Sequence, residues 1–296
     1  MEVAHISRLS RVEIHDSIVR MMGLTSPPIG VSFLRSDPPK DAKRPDRECT
    51  FCEGVALSRR EKHIIGLTKD NMDCPFALEV LGLQSLPWDM VTNVIESKRF
   101  GPHTLEFIRT IPKIAGGIYE SVVIGPLKDL SMNPNVVLIH GTSDQIVKLV
   151  NAWTWVSGKP VSGSMQGIGG VCSESVAAAY VMGEPTICAL PCQGARELGK
   201  LKIGETIFAS IYSLLEELIE GLEAIEASSK DVESLVIDLL RRKGRMTTRS
   251  ITSELRMLLP RCPDYPAQVL ARMGSKGKIK SEFSTKDKGF VWWVEP

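Results

Sequence analysis

Apolar positions recur every three to four residues along ISRLSRVEIHDSIVRMMGL (6–24), which is the spacing of one helix face. Ser26 and the Pro27–Pro28 pair are expected to end that helix, because proline lacks an amide donor and restricts the residue before it. IGVSFL (29–34) reads as a strand, and the polar, proline-rich residues 35–50 read as a loop. CPFALEVLGL (74–83) fits a short helix ending at Gly82, with Asp73 as its N-cap and Pro75 in its first turn. GIYESVVIGPL (117–127), NVVLIHG (135–141) and PTICALP (185–191) have the β-branched character of strands. SDQIVKLVNAWTWV (143–156) reads as a helix capped by Ser143. SESVAAAYVMG (173–183) reads as another, started by Ser173 and stopped by Gly183. ETIFASIYSLLEELIEGLEAIEA (205–227) reads as one long amphipathic helix with Ile207, Ile211, Leu214, Leu215, Leu218 and Leu222 on one side. This mixture predicts an α+β or α/β body with a mixed sheet whose strand order stays open.

A polar stretch, Ser228–Ser229–Lys230, reads as a linker, and the pattern beyond it changes. VESLVIDLLRRKG (232–244), RMTTRSITSELRMLLP (245–260) and PAQVLARMGSKGKI (266–279) predict three helices. KIKSEFSTKDKGFVWWV (278–294) predicts two strands around a polar turn. Helix–helix–helix–hairpin resembles the winged variant of helix-turn-helix domains, which gives an expected division into a body, 1–229, and a small winged helix-turn-helix domain, 230–296.

Charge sharpens that division. The chain of 296 residues carries 36 Lys+Arg and 35 Asp+Glu, but residues 230–296 hold 14 basic and 8 acidic residues, so an acidic body precedes a tail of net +6. Such asymmetry points to an anionic partner for the tail. By analogy with helix-turn-helix docking, the third helix and the wing would meet duplex DNA through Arg272, Lys276, Lys278, Lys280, Lys286 and Lys288. The alternative is a solvated surface on a protein-contact or homodimer module. Hydrophobic residues at 43% suit a globular chain. Apolar runs such as VAAAYVM (176–182) fall far short of the ~20 residues that span a bilayer, and the N-terminus has no apolar signal core. No membrane partner and a cytoplasmic location are therefore expected.

Seven cysteines remain, at 49, 52, 74, 172, 188, 192 and 262. An odd number in a chain read as intracellular argues against structural disulfides. They occur in ECTFCEG (48–54), DCPFALEVLGL (73–83), GIGGVCSES (167–175) and ICALPCQGAR (187–196). Together with PPIGVSF (27–33), the CPFALEVLGL, GGVCSE and LPCQGAR blocks resemble the domain of unknown function 169 family, proteins of anaerobic archaea and bacteria. The resemblance covers roughly residues 8–225 and not the tail. It implies no established activity.

The residues themselves therefore have to carry the chemistry. Cys49 and Cys52 are spaced to reach one metal, and Cys74 and Cys172 lie at or near predicted helix starts, where amide N–H groups favour thiolate. With Cys192 they could hold an iron–sulfur cluster or zinc. They could equally be redox or nucleophilic thiols, or buried apolar ones, since free cysteine packs as a small hydrophobe. Cys188 and Cys262 read as structural. GSMQGIGG (163–170) matches no nucleotide loop, but Gly169 and Gly170, with Arg196, could receive an anionic small-molecule ligand. The five histidines are dispersed, and His140 reads as a core residue before a ligand. The leading expectation is a ligand- or redox-responsive regulator with a cysteine-lined metal site and a DNA-binding winged helix. The rival is an anaerobic redox enzyme or enzyme-maturation factor whose tail is a protein-interaction module.

Overall fold

The computed structural model describes residues 8–85, 87, 103–255 and 264–295. They form two compact units, 1–222 and 223–296. In the first, α1 (Arg11–Met22) is opened by a capping box between Ser10 and Glu13. It is closed by Gly23 at φ 62°, not by the prolines that follow. The left-handed glycine lets the Leu24 amide reach the Val19 carbonyl and ends the helix at Met22, five residues before Pro27.

Six strands make one sheet in the order β2-β3-β1-β4-β6-β5: β1 (Ile29–Leu34), β2 (Ile65–Thr68), β3 (Ser121–Pro126), β4 (Val136–Thr142), β5 (Thr186–Cys188) and β6 (Glu205–Ile211). Every ladder is antiparallel, so the architecture is α+β and the expected mixed sheet is corrected. The reason is topological. β3 and β4 run the same way, but β1 lies between them and pairs antiparallel with both.

β6 is the largest departure from the pattern reading, because residues 205–211 are a strand rather than the first turns of a helix. Seven residues pair with β4, from Thr142↔Glu205 to Val136↔Ile211. Thr206, Ile207 and Phe208 are β-branched or aromatic, and the period-two alternation puts Ile207 and Ala209 in the core cluster. The helix that follows, α8 (Leu215–Lys243), then runs through 228–230, where a linker was expected.

Alternate residues of the strands build the main core: Ile29, Val31 and Phe33, then Val122 and Ile124, Val136 and Leu138, Ile207 and Ala209. Packed on this face are α2 (Phe51–Glu61), α3 (Pro75–Val80), α4 (Thr104–Thr110) and a π-helix (Gly170–Ala177) that continues as α6 (Ala178–Met182). α5 (Ser143–Ser157) packs on β4 and β6 with buried residues outside that cluster. It is capped by Thr142, not Ser143, because the Thr142 Oγ1 accepts the Gln145 amide and Gln145 reciprocates. α7 (Gln193–Glu197) is one short turn. Among the described residues no helix is long and apolar enough to cross a membrane.

The second unit holds the C-terminal part of α8, β7 (Met246–Thr247), α9 (Thr248–Glu254), α10 (Asp264–Ser275), β8 (Lys280–Ser284) and β9 (Gly289–Trp293). β7 pairs with β9 and β9 with β8. Val236, Leu239, Leu240, Ile251, Leu270, Met273 and Trp292 share its core, and the Trp292 indole donates to Thr248 Oγ1 at 2.8 Å.

Candidate cysteine site

Thr50–Phe51–Cys52–Glu53 has the form of a capping box, and α2 starts there. Thr50 Oγ1 accepts the Glu53 amide at 3.2 Å, and the Glu53 carboxylate takes the Thr50 amide at 2.8 Å. Cys52 is thus the second residue of a helix rather than part of a loop. Cys74 is itself the N-cap of α3, a role expected of Asp73. Its Sγ accepts the Ala77 amide at 3.4 Å. Cys172 lies in the first turn of the π-helix, which starts at Gly170 and not at Ser173. Cys192 is the N-cap of α7, and its Sγ accepts the Gly170 amide at 3.4 Å. Four sulfurs therefore sit at four helix starts.

These four lie within electrostatic reach of one another. Ionisation of Cys172 would be opposed by Cys52, Cys74 and Cys192, that of Cys52 by Cys192 and Cys74, and that of Cys74 by Cys192. All belong to or pack against the main core. Cys49 stands apart. Its electrostatic neighbours are Glu53 and Arg47, and its backbone pairs with Met72. Cys188 is buried on β5 beside Glu174 and Cys192. Cys262 lies outside the described residues.

Burial pushes the Cys52 and Cys172 thiols well above the ordinary value, and the neighbouring sulfurs push them further. Burial also raises Cys74, against which the Ala77 and Phe76 amides act only in part. The Cys52, Cys74 and Cys172 thiols are protonated at neutral pH and are poor nucleophiles. A thiophilic metal would reverse this by deprotonating them on coordination. Among the described residues no group of three or more His, Cys, Asp or Glu is placed to hold a metal ion.

The π-helix fixes this geometry. Gly169, at φ 65°, is its N-cap, and a Cβ there would stand 2.5 Å from the Phe76 ring. A Cβ on Gly170 would meet the Cys188 sulfur at 3.0 Å and the Cys192 amide at 3.1 Å. Gly169 and Gly170 thus permit close packing of the chain at the thiols, and the Gly170 amide expected to receive an anion is taken by Cys192. The Arg196 Nε donates to the Pro191 carbonyl at 2.8 Å, which braces the loop carrying Cys192. Glu174 accepts the Gln166 amide at 2.6 Å, and burial pushes its carboxyl up. His140 is fully buried. Burial and the Arg59 charge hold its pKa well below the ordinary value, so it stays neutral in the core.

The tail cations are placed unequally. Arg272 (3.3 Å) and Lys278 both pair with Glu233, and Lys280 lies 3.8 Å from Glu295. Lys276, Lys286 and Lys288 have no ion pair among the described residues.

Residues 17–221 match the sequence profile of domain of unknown function 169, described as an uncharacterised ArCR. An uncharacterised protein of Methanocaldococcus jannaschii is 24% identical over 213 residues, which are 70% of this chain and 91% of that protein. No solved structure matches.

Proposed function

The chain belongs to the domain of unknown function 169 family, and on that footing we propose that its body carries an iron–sulfur cluster on Cys52, Cys74, Cys172 and Cys192. The observation that carries this reading is the placement of these four sulfurs at four helix starts within electrostatic reach of one another. A cluster suits them better than zinc. Iron and inorganic sulfide stand between the ligands of a cluster, so its cysteines need not close around one point. Amide donors at the helix starts favour the anionic charge of such a cluster. The cluster would supply one-electron chemistry or a redox-sensitive state.

The second unit completes the proposal as a winged helix that binds duplex DNA, making the protein a redox- or ligand-responsive regulator. Its order of helix, strand, two helices and hairpin supports that reading, as does the net +6 of residues 230–296. The pairing of Arg272 and Lys278 with Glu233 favours the second reading, an anaerobic redox enzyme or maturation factor whose tail contacts protein.

The test is anaerobic purification, or reconstitution with ferrous iron and sulfide, followed by iron and acid-labile sulfide analysis and visible absorption. The full chain is expected to be brown. Serine at 52, 74, 172 or 192 should remove most of the iron, and Cys49→Ser should retain it. Colourless protein after reconstitution, or equal iron loss from Cys49→Ser, overturns the cluster.

A further inference from the structure

A cleft of about 730 Å³ opens along α2, between the loop through Lys43–Arg47 and the segment Leu198–Lys200. That volume lies within the ~300–1,000 Å³ typical of small-molecule sites. Ala56, Leu57, Ile65 and Leu198 supply an apolar lining. Around it stand five cations, Lys43, Arg44, Arg47, Arg60 and Lys200, against the carboxylates of Asp46, Glu53 and Glu61.

The internal pairings leave part of this positive charge uncompensated. Arg47 is spent on Glu53 at 2.7 Å and Arg44 on Asp37 at 3.1 Å. Lys43 Nζ donates to His63 Nε2 at 2.9 Å, and His63 Nδ1 lies 3.4 Å from Glu61, so the Glu61 carboxylate offsets Lys43 across the ring. Arg60 and Lys200 have no ion pair among the described residues. Lys200 also holds φ at 52°, the left-handed region that costs free energy for any residue with a Cβ. Backbone strain of this kind gathers at ligand-clamping positions, and here it sets a cation at the edge of the cleft.

We propose that this cleft binds an organic anion of at least two negative charges, about the size of a nucleoside diphosphate. Its apolar part lies against Leu57, Ile65 and Leu198, and its charged end is held by Arg60 and Lys200. The residues are distinct from the four clustered cysteines, so the proposal stands whether or not those hold iron.

Isothermal titration of the full chain at low ionic strength tests it with three probes: adenosine diphosphate, citrate and adenosine. Binding of either anion below ~1 mM, with adenosine about tenfold weaker or more, is expected. Adenosine diphosphate alone would identify an organic phosphate, and citrate alone a polycarboxylate. Arg60→Gln together with Lys200→Gln should weaken the anion about tenfold or more without moving the melting temperature, because both side chains are exposed. Neither anion binding at ~1 mM, adenosine binding as well as its diphosphate, or a double variant with unchanged affinity overturns the proposal.

Discussion

Glu233 shows how one side chain changes the outlook of a whole surface. Its carboxylate is buried and takes both Lys278 and Arg272. Burial alone would raise its pKa, but the Lys278 hydrogen bond and the charges of Lys278, Arg272 and Lys276 outweigh that and hold it below the ordinary value of 4.5. A carboxyl depressed on folding binds more protons unfolded than folded. The stability it lends is therefore present above the unfolded value and is lost as pH falls through the folded one. Glu233→Gln should flatten the acid limb of the tail's unfolding below about pH 4.5, read by circular dichroism against pH. The same change releases two cations. If only Lys276, Lys286 and Lys288 contact phosphate, the log–log salt dependence of duplex binding has a slope of about −2.7, and Glu233→Gln should steepen it to about −4.5 (0.9 per contact). Fluorescence anisotropy with the full chain reads this directly. Absence of duplex binding at low salt by both proteins would leave the tail as a protein-contact module.

At the scale of elements, the π-helix decides whether the thiols meet. Its wide turns are rare and recur at functional sites. Here Ser175 Oγ donates to the Gly170 carbonyl at 2.7 Å, and the Ser173 and Glu174 amides both reach the Gly169 carbonyl. Gly169→Ala would impose a left-handed alanine and drive its methyl into Phe76 and Ser173. The expected cost is about 2–4 kcal/mol by denaturant titration, with loss of bound iron. Thr142→Ala is the contrasting control. Losing the cap of α5 should cost about 1 kcal/mol and leave the iron content unchanged. Equal iron loss from both variants would mean that the site responds to general destabilisation rather than to the π-helix.

For the whole molecule, the two units have separate cores and opposite charge, which leads to separable unfolding. Scanning calorimetry of the full chain should resolve two transitions. If the body holds the proposed cluster, stripping its iron should lower only the transition of the body, because ligand binding stabilises only the unit that holds the ligand. A fragment of residues 223–296 should fold alone, since its core draws on Val236, Ile251, Met273 and Trp292 from within that segment. A fragment begun at 230 would discard the first turns of that segment's helix, which runs unbroken from Leu215 to Lys243. One cooperative transition in the full chain, shifted as a whole by iron removal, would show that the units unfold together.

Local patterns were enough for much of this protein. Strands at 29–34, 121–126 and 136–142 announce themselves by β-branched runs, α1 and α5 by their periodicity, and the body–tail asymmetry by charge alone. The family was legible too, because short cysteine- and glycine-bearing blocks keep their order along the chain. The α2 start was written in Thr50 and Glu53 but hidden by the polar segment before it. β6 was not legible, because ETIFASI borders a helical run and only seven partners on β4 make it a strand. Antiparallel pairing throughout depended on β1 being inserted between β3 and β4. Cys49 lies before the α2 cap and bridges to Met72 while Cys52 lies inside the helix, a separation that the Cys-x-x-Cys spacing does not reveal. Sequence spacing supplied the thiols. Long-range contacts between segments about a hundred residues apart or more bring Cys52 and Cys74 within electrostatic reach of Cys172 and Cys192, which no local signal encodes.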